Sequence, residues 1–249
     1  MKRLPIKLTT DPIVEAVFEL RFVPAQVAGA DLLLGSLFAP MKDRFPTLTR
    51  LPTGDLPEAL LKLEPNLRFQ PRIRLTGTRF SLLLGDYSLM VAASCPYAGW
   101  SMYQAVISEA ISLAKESGVV KSVERFSIKY INLLPAETVR AQFGKTLFNS
   151  QLGGRDLLTN LTTTKTEFDE DGFTNIVELA PQSTTEIDGK KITGLLVNVD
   201  TIATKVADFW NNCDAQIARA HTVEKRIFFS ILTPETIRAY GAVYSEVTP

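Results

Sequence analysis

The pattern with the most chemical content is a row of arginine residues on one face of a predicted strand. Between residues 68 and 76, apolar and polar residues alternate, which places the arginines opposite Phe69, Ile73 and Leu75. A second predicted strand, 123–133, adds two more cations if it lies in the same sheet. The predicted binding residues are Arg68, Arg72, Arg74, Arg125 and Lys129. Guanidinium groups in such a row can bind phosphate or an acidic segment of another protein.

The same residues also fit a solvated face whose charges are neutralised within the protein. In this interpretation the opposite charge comes from the carboxylates of Glu15, Glu19 and Glu124. Glu15 and Glu19 would lie about 13 Å apart on one strand, which is too far for shared acid–base chemistry. Either carboxylate can instead pair with Arg125 or Lys129 across the sheet.

Two aromatic residues, Tyr97 and Trp100, form a second candidate site beside a proline turn at the start of a predicted helix. Large aromatic side chains in such a position either close the end of a core or form an exposed anchor for a protein partner. Both interpretations stay open at the level of sequence.

Catalytic and metal-binding motifs are weak throughout the sequence. His221 is the single histidine, and Cys95 and Cys213 lack the short spacing of metal ligands. The tripeptide 144–146, Gly-Lys-Thr, resembles the end of a phosphate-binding loop, but Val139 occupies the place of its first glycine. We therefore predict no catalytic residue, no cofactor and no metal, and we favour a non-enzymatic protein.

Composition places the chain among ordinary globular proteins. Its 249 residues are 45% hydrophobic and 22% charged, which is enough for a substantial core. The net charge of zero argues against strong nonspecific binding of nucleic acid. We expect no membrane span and no signal peptide, because no apolar run is long enough. Two cysteines are too few for a disulfide framework, so we expect a reduced, cytoplasmic setting.

The elements that must position these residues occur in the same order twice. A strand at 13–23 is followed by a helix, three strands and an amphipathic helix that ends near Ser117. From Val123 the order strand, helix, three strands, helix begins again. We predict an α+β fold in a single domain, with a mainly antiparallel sheet, helices packed on one face and two similar halves, 1–120 and 121–249. The order strand, helix, three strands, helix resembles half of a TATA-binding-protein-like saddle, or a helix-grip fold.

Turn and helix-end residues mark the predicted boundaries of these elements. Residues 47–65 contain several prolines and read as a loop or irregular crossover. Thr233-Pro234 is typical of a helix start. Four residue pairs are typical of hairpin turns, namely Gly77-Thr78, Gly85-Asp86, Asp171-Gly172 and Asp188-Gly189.

Several stretches, taken together, resemble one known family. They are residues 12–22, 96–100, 125–132 and 195–200, and His221 with the following Phe228-Phe229 and Leu232-Thr233. Over nearly its whole length the chain is similar to a sporadically distributed prokaryotic family that is catalogued by number and has no established activity. Its most specific motifs here are Pro-Ile-Val-Glu-Ala-Val-Phe-Glu-Leu-Arg-Phe and Arg-x-x-x-x-Tyr-Ile-Asn. Lys129 stands where many relatives carry arginine, which keeps the charge and loses the bidentate fork.

The resemblance implies a small soluble bacterial protein carried on mobile or defence-associated loci, and it implies no reaction. We therefore expect a binding or regulatory protein whose partner is another protein or a second copy of the chain. An accessory or antitoxin-like role in such a locus follows from the resemblance alone. Two alternatives stay open, namely nucleic-acid binding through the basic sheet face, and a small-molecule or enzymatic pocket between the sheet and the helices.

Overall fold

The computed structural model describes residues 4–55, 60, 64–187 and 189–245. Its centre is an antiparallel sheet of nine strands with helices packed against it. This confirms the predicted α+β class with a mainly antiparallel sheet.

The first part of the chain contains short strands and two longer helices. In chain order they are β1 (Lys7–Leu8), β2 (Ile13–Pro24), α1 (Gly29–Met41), β3 (Thr47–Arg50), β4 (Ile73–Thr76), β5 (Phe80–Leu84), β6 (Ser88–Ser94) and α2 (Trp100–Glu116).

The second part contains longer strands and one long helix. In chain order its elements are β7 (Val120–Pro135), α3 (Val139–Phe143), β8 (Gln151–Leu152), β9 (Arg155–Asp156), β10 (Thr164–Glu170), β11 (Phe173–Ile187), β12 (Lys190–Ala203), α4 (Phe209–Ile231), α5 (Pro234–Ala239) and β13 (Ala242–Val243). Helix α4 is kinked at Asn212, whose φ of −148° is not helical.

The large sheet has the strand order β10-β11-β12-β7-β2-β6-β5-β4-β3. Outward from β2 the next strands are β6, β5 and β4, and outward from β7 they are β12, β11 and β10. On each side, the strand next to the central pair is therefore the last of the three along the chain, and the outermost is the first. The order is therefore the same on both sides through four strands, as a repeated element order would produce. A common origin of the two halves stays a prediction.

The chain forms two compact units. The first unit is made of Met1–Glu15, Lys129–Thr201 and His221–Pro249, and the second of Ala16–Ile128 and Ile202–Ala220. These bounds differ from the predicted halves, because β2, β7, β12 and α4 each contribute residues to both units.

Burial of alternate residues gives β2 an inner and an outer face over much of its length. In β2 the fully buried side chains are those of Ala16, Phe18, Leu20 and Phe22. Helices α1 and α2 contact β5 and β6 respectively. The apolar stripe predicted for α2 is buried as expected, at Tyr103, Val106, Ile107, Ala110, Ile111 and Ala114.

The strand predicted at 68–76 is wrong in its first half. Strand β4 begins at Ile73, and Pro65–Phe69 forms a 3₁₀ helix instead. Proline favours the first turn of a helix, and Pro71 has no N–H to donate to a strand ladder. Arg68 therefore does not share a strand face with the later arginines.

Most of the predicted turns are confirmed. Hairpins join β4 to β5, β5 to β6 and β10 to β11. Asp171 and Gly172 have φ values of 51° and 80°, the left-handed conformation that a two-residue hairpin turn requires. Thr233 caps α5 by accepting a hydrogen bond from Thr236 N. The region 47–65, predicted as a loop or irregular crossover, contains β3 and a 3₁₀ helix, Pro52–Asp55. Residues 56–59 and 61–63 lie outside the described residues, as does Asp188 of the predicted turn Asp188-Gly189.

Candidate functional site

Two arginine side chains converge on one buried carboxylate in the second unit. Because β2 buries its even-numbered residues, Glu19 and Arg21 lie on the opposite face of the strand. Arg21 Nε and Arg125 Nη2 each donate to Glu19 Oε2 at 2.8 Å. The predicted cross-strand pairing of Glu19 with Arg125 is therefore confirmed, and a second guanidinium shares the same oxygen.

Two aromatic rings lie beside this ion pair. The guanidinium carbons of Arg21 and Arg68 lie 4.2 Å and 4.5 Å from the centroid of the Phe69 ring. Arg68 also lies 5.5 Å from the Tyr87 centroid, and the rings of Phe69 and Tyr87 meet edge to face at 6.5 Å. A cation over an aromatic face is attracted by the electrons of the ring, so the rings hold the guanidinium groups in place.

A second carboxylate completes the group, because Arg68 Nη2 lies 3.5 Å from Glu124 Oε2. Three guanidinium groups thus face two carboxylates, which leaves an excess of one positive charge. We call the following residues the arginine cluster: Glu19, Arg21, Arg68, Phe69, Tyr87, Glu124 and Arg125.

The arginine cluster contains a buried donor for which the described residues supply no acceptor. Arg125 Nε is buried and has no hydrogen-bond partner among the described residues. The Arg68 side chain is 44% exposed, against 20% for Arg21 and 24% for Arg125. Arg68 is therefore the member that an incoming anion reaches most easily, and the other two arginines supply positive potential behind it.

The remaining predicted cations lie elsewhere. Arg72 pairs with Asp86, whose other oxygen accepts a hydrogen bond from Ala30 N at the start of α1. Arg74 is exposed on β4, and Lys129 is half-buried on β7 within the first unit. Of the five predicted cations, the arginine cluster thus contains Arg68 and Arg125.

Tyr97 and Trp100 pack against the core of the second unit. Each ring meets the buried Tyr103 ring edge to face, at 6.1 Å and 6.3 Å between centroids. Tyr103 in turn donates its hydroxyl to the carbonyl of Val91 in β6. Both aromatic side chains are half-buried, which fits the interpretation that they close the end of the core.

Sequence reasoning missed Arg21, Phe69 and Tyr87 as members of the arginine cluster. The signal for Arg21 was present, because it stands two residues after Glu19 on the same strand face. Phe69 and Tyr87 carried no comparable signal, since their contact with the arginines depends on how the 3₁₀ helix folds back.

A second polar group lies on α4 in the first unit, where Glu224 is buried and His221 is half-buried. His221 and Glu224 are one helical turn apart, and the His221 ring lies 5.8 Å from the Tyr130 ring of β7. Burial, with a smaller contribution from Lys225, lowers the pKa of His221 to about 3. Burial and the negative charge of Asp200 raise the pKa of Glu224 well above its usual value, while Lys225 opposes the rise.

In the folded protein the environment of His221 and Glu224 favours their uncharged forms. The shifted pKa values favour an uncharged imidazole and a protonated carboxyl. Glu224 Oε1 is buried with no hydrogen-bond partner among the described residues. No set of three or more histidine, cysteine, aspartate or glutamate side chains in the described part of the chain could hold a metal ion. Cys95 and Cys213 are half-buried and form no disulfide there.

Comparison with known proteins adds no family: no protein-family model matches the chain, and no curated protein matches it. Among the helices that the structure describes, none is both long and apolar enough to cross a membrane.

Proposed function

We propose that this chain is a binding or regulatory protein that engages an acidic segment of a protein partner through the arginine cluster. The observation that carries the proposal is the excess of three guanidinium groups over two carboxylates in the arginine cluster, with Arg68 as its most exposed cation. A carboxylate of the partner placed beside Arg68 would balance the excess charge with a charge-assisted hydrogen bond.

The chemistry of the arginine cluster supports a protein partner. Arginine and tyrosine are enriched among the residues that dominate binding energy at protein interfaces. The ring contacts of Phe69 and Tyr87 restrict the arginine side chains before binding, which reduces the conformational entropy lost on association.

The biological setting forms a separate part of the proposal. The resemblance to the sporadically distributed prokaryotic family supports a cytoplasmic accessory or antitoxin-like component of a mobile or defence locus. In that setting the protein partner would be encoded in the same locus.

Nucleic acid is the second candidate ligand, and one observation favours it. Arg68 lies over two aromatic rings beside further cations, and arginine and aromatic side chains together can bind a phosphate and a base. The zero net charge of the chain weighs against this alternative.

Charge reversal at Arg68 tests the proposed function. The chain and its Arg68→Glu variant are purified from the native host at low salt, and associated molecules are identified by mass spectrometry. We expect the variant to lose the partner at least about tenfold, because a partner carboxylate would then meet like charge.

Arg44→Glu is the matched control. The Arg44 side chain is 47% exposed, lies in the same unit and pairs with Glu109, so it resembles Arg68 in exposure and pairing. Equal recovery of the partner with both variants would overturn the proposal. Loss of nuclease-sensitive material instead of protein would transfer the site to the nucleic-acid alternative.

A further inference from the structure

The first unit contains a cavity of about 650 Å³ that is separate from the arginine cluster. Its walls come from the end of α4, from α5, from the segment after α3 and from both ends of the described chain. The residues that line it are Leu4, Pro5, Leu147, Arg226, Phe229, Ser230, Leu232, Pro234, Ile237, Arg238 and Tyr244. The volume lies within the range of about 300–1,000 Å³ that is usual for small-molecule sites.

Backbone hydrogen bonds hold these walls together. Leu147 N donates to Ile231 O at 2.7 Å, and Thr233 N donates to Lys145 O at 3.0 Å. Near the two ends of the described chain, Ile6 N donates to Val243 O at 2.6 Å. The cavity is therefore bounded by segments that are paired to each other, which is a property of a preformed site.

The cavity is apolar on most of its surface and opens to solvent through exposed apolar side chains. Leu147 is 62% exposed and Tyr244 is 43% exposed. Exposed apolar residues that surround a concave surface are a mark of a binding site. Phe229, Leu232 and Ile237 extend the apolar surface inward.

The charged residues among those lining the cavity are two arginines, and none of the lining residues is acidic. Arg226 is held by Glu170 and Asp171 of the β10–β11 hairpin, with Nε at 2.9 Å from Glu170 Oε1. Arg238 pairs with Glu235, and both of these side chains are about seven-tenths exposed, at 69% and 74%. An exposed ion pair of this kind is weak, so the Arg238 guanidinium can exchange Glu235 for the carboxylate of a ligand.

We propose that this cavity binds a small amphipathic carboxylate, with its apolar chain against Phe229, Leu232 and Ile237 and its carboxylate on Arg238. The volume favours a small molecule over a folded partner. Arg238, whose ion pair with Glu235 is exposed and weak, favours an anionic head group over a neutral or cationic one. This inference does not depend on the proposed function, because it concerns different residues in the other unit.

The test measures binding of decanoate by isothermal titration calorimetry, with 1-decanol as the neutral comparison in a competition assay. We expect saturable binding of one decanoate per chain and weaker binding of decanol. Arg238→Ala should weaken decanoate binding about tenfold, the loss expected for one charge-assisted hydrogen bond. Ile237→Trp should abolish it by filling the cavity.

Two further variants make the result specific. Arg140→Ala is the matched control, since Arg140 is 72% exposed and pairs weakly with Asp156 at 3.7 Å; decanoate binding should not change. Leu147→Ser alters an exposed side chain and should weaken binding even if Ile237→Trp does not fold.

Three results would overturn the inference. These are no saturable binding of decanoate, binding that is unchanged in both Arg238→Ala and Leu147→Ser, and decanol binding as tight as decanoate. A dimer that Leu147→Ser dissociates, without decanoate uptake, would assign the cavity to a second copy of the chain instead.

Discussion

At the scale of single residues, two buried carboxyl groups are accommodated in opposite ways. Glu19 is 9% exposed and accepts hydrogen bonds from two guanidinium groups. Glu224 is 4% exposed, and its environment raises its pKa and favours the neutral form. A buried charge is tolerated when it is paired and hydrogen-bonded, and is otherwise neutralised by uptake of a proton.

The raised pKa of Glu224 predicts a pH dependence of stability. The unfolded chain releases this proton near the ordinary pKa of 4.5, whereas the folded protein retains it to higher pH. Between those two pKa values the free energy of unfolding should fall by about 1.4 kcal/mol per pH unit as pH rises. Glu224→Gln removes this dependence, so the variant should gain stability relative to the parent as pH increases from 5 to 8, measured by urea denaturation.

The control for this measurement is Glu167→Gln, which changes an exposed carboxylate on β10 of the same unit. It should leave the difference in stability between pH 5 and pH 8 unchanged. The lowered pKa of His221 affects stability between about 3 and 6.5, where falling pH destabilises the fold. Parent and variants all carry His221, so its contribution cancels when their pH profiles are compared. A Glu224→Gln variant with the same pH profile as the parent would contradict a raised pKa.

At the scale of elements, alternation predicted the strands better than it predicted their beginnings. The placement of Glu19 and Arg125 on the strand faces opposite Phe18 and Phe126 followed from period-two patterns in β2 and β7, and the structure confirms both. The same alternation at 68–72 was misleading. Pro65 starts a 3₁₀ helix, and Pro71 has no N–H to donate to a neighbouring strand, so the extended strand begins only at Ile73. The alternation of polar and apolar residues alone cannot distinguish a strand from a 3₁₀ helix followed by a bend, because both structures are compatible with it over so few residues.

Two glycines in α1 should respond in opposite ways to substitution by alanine. A Cβ at Gly29 would lie 2.5 Å from the backbone oxygen of Asp86, so Gly29→Ala must displace the β5–β6 turn from the helix start. A Cβ at Gly35 would meet nothing within 4 Å. We expect Gly29→Ala to destabilise the protein by about 1–3 kcal/mol and Gly35→Ala to stabilise it by up to about 1 kcal/mol.

The two alanine variants control for each other, since both place the same residue in the same helix. Thermal and urea denaturation at one pH measure the differences. A Gly29→Ala variant that is at least as stable as the parent would show that the approach of Asp86 to the start of α1 does not limit the packing of this helix.

At the scale of the whole molecule, the fold class was predictable and the binding residues were predictable only in part. Element order and hairpin signals are local, so they indicated the antiparallel α+β sheet. The arginine cluster combines β2, β7, the 3₁₀ helix at 65–69 and Tyr87, which are distant in sequence. No periodicity links Arg21 to Phe69, and only the folded chain places the guanidinium over the ring.

The chain passes between its two compact units at four points, and each point lies inside a regular element. The crossings are between residues 15 and 16 in β2, 128 and 129 in β7, 201 and 202 in β12, and 220 and 221 in α4. If one unit unfolded, part of each of these four elements would lose its regular structure. The rest of each element belongs to the other unit and would lose the hydrogen-bonded residues next to it in the chain. This covalent continuity should couple the two units in one cooperative transition.

The distribution of spectroscopic residues allows the coupling to be measured directly. Both tryptophans, Trp100 and Trp210, belong to the second unit, and the single histidine, His221, belongs to the first. We expect urea denaturation followed by tryptophan fluorescence and by the His221 proton resonances to give the same midpoint and the same slope. Circular dichroism provides the control, because it reports on both units and should coincide with the two local probes. Midpoints that differ, with circular dichroism showing two steps, would contradict the coupling and show that each unit unfolds by itself despite the shared elements.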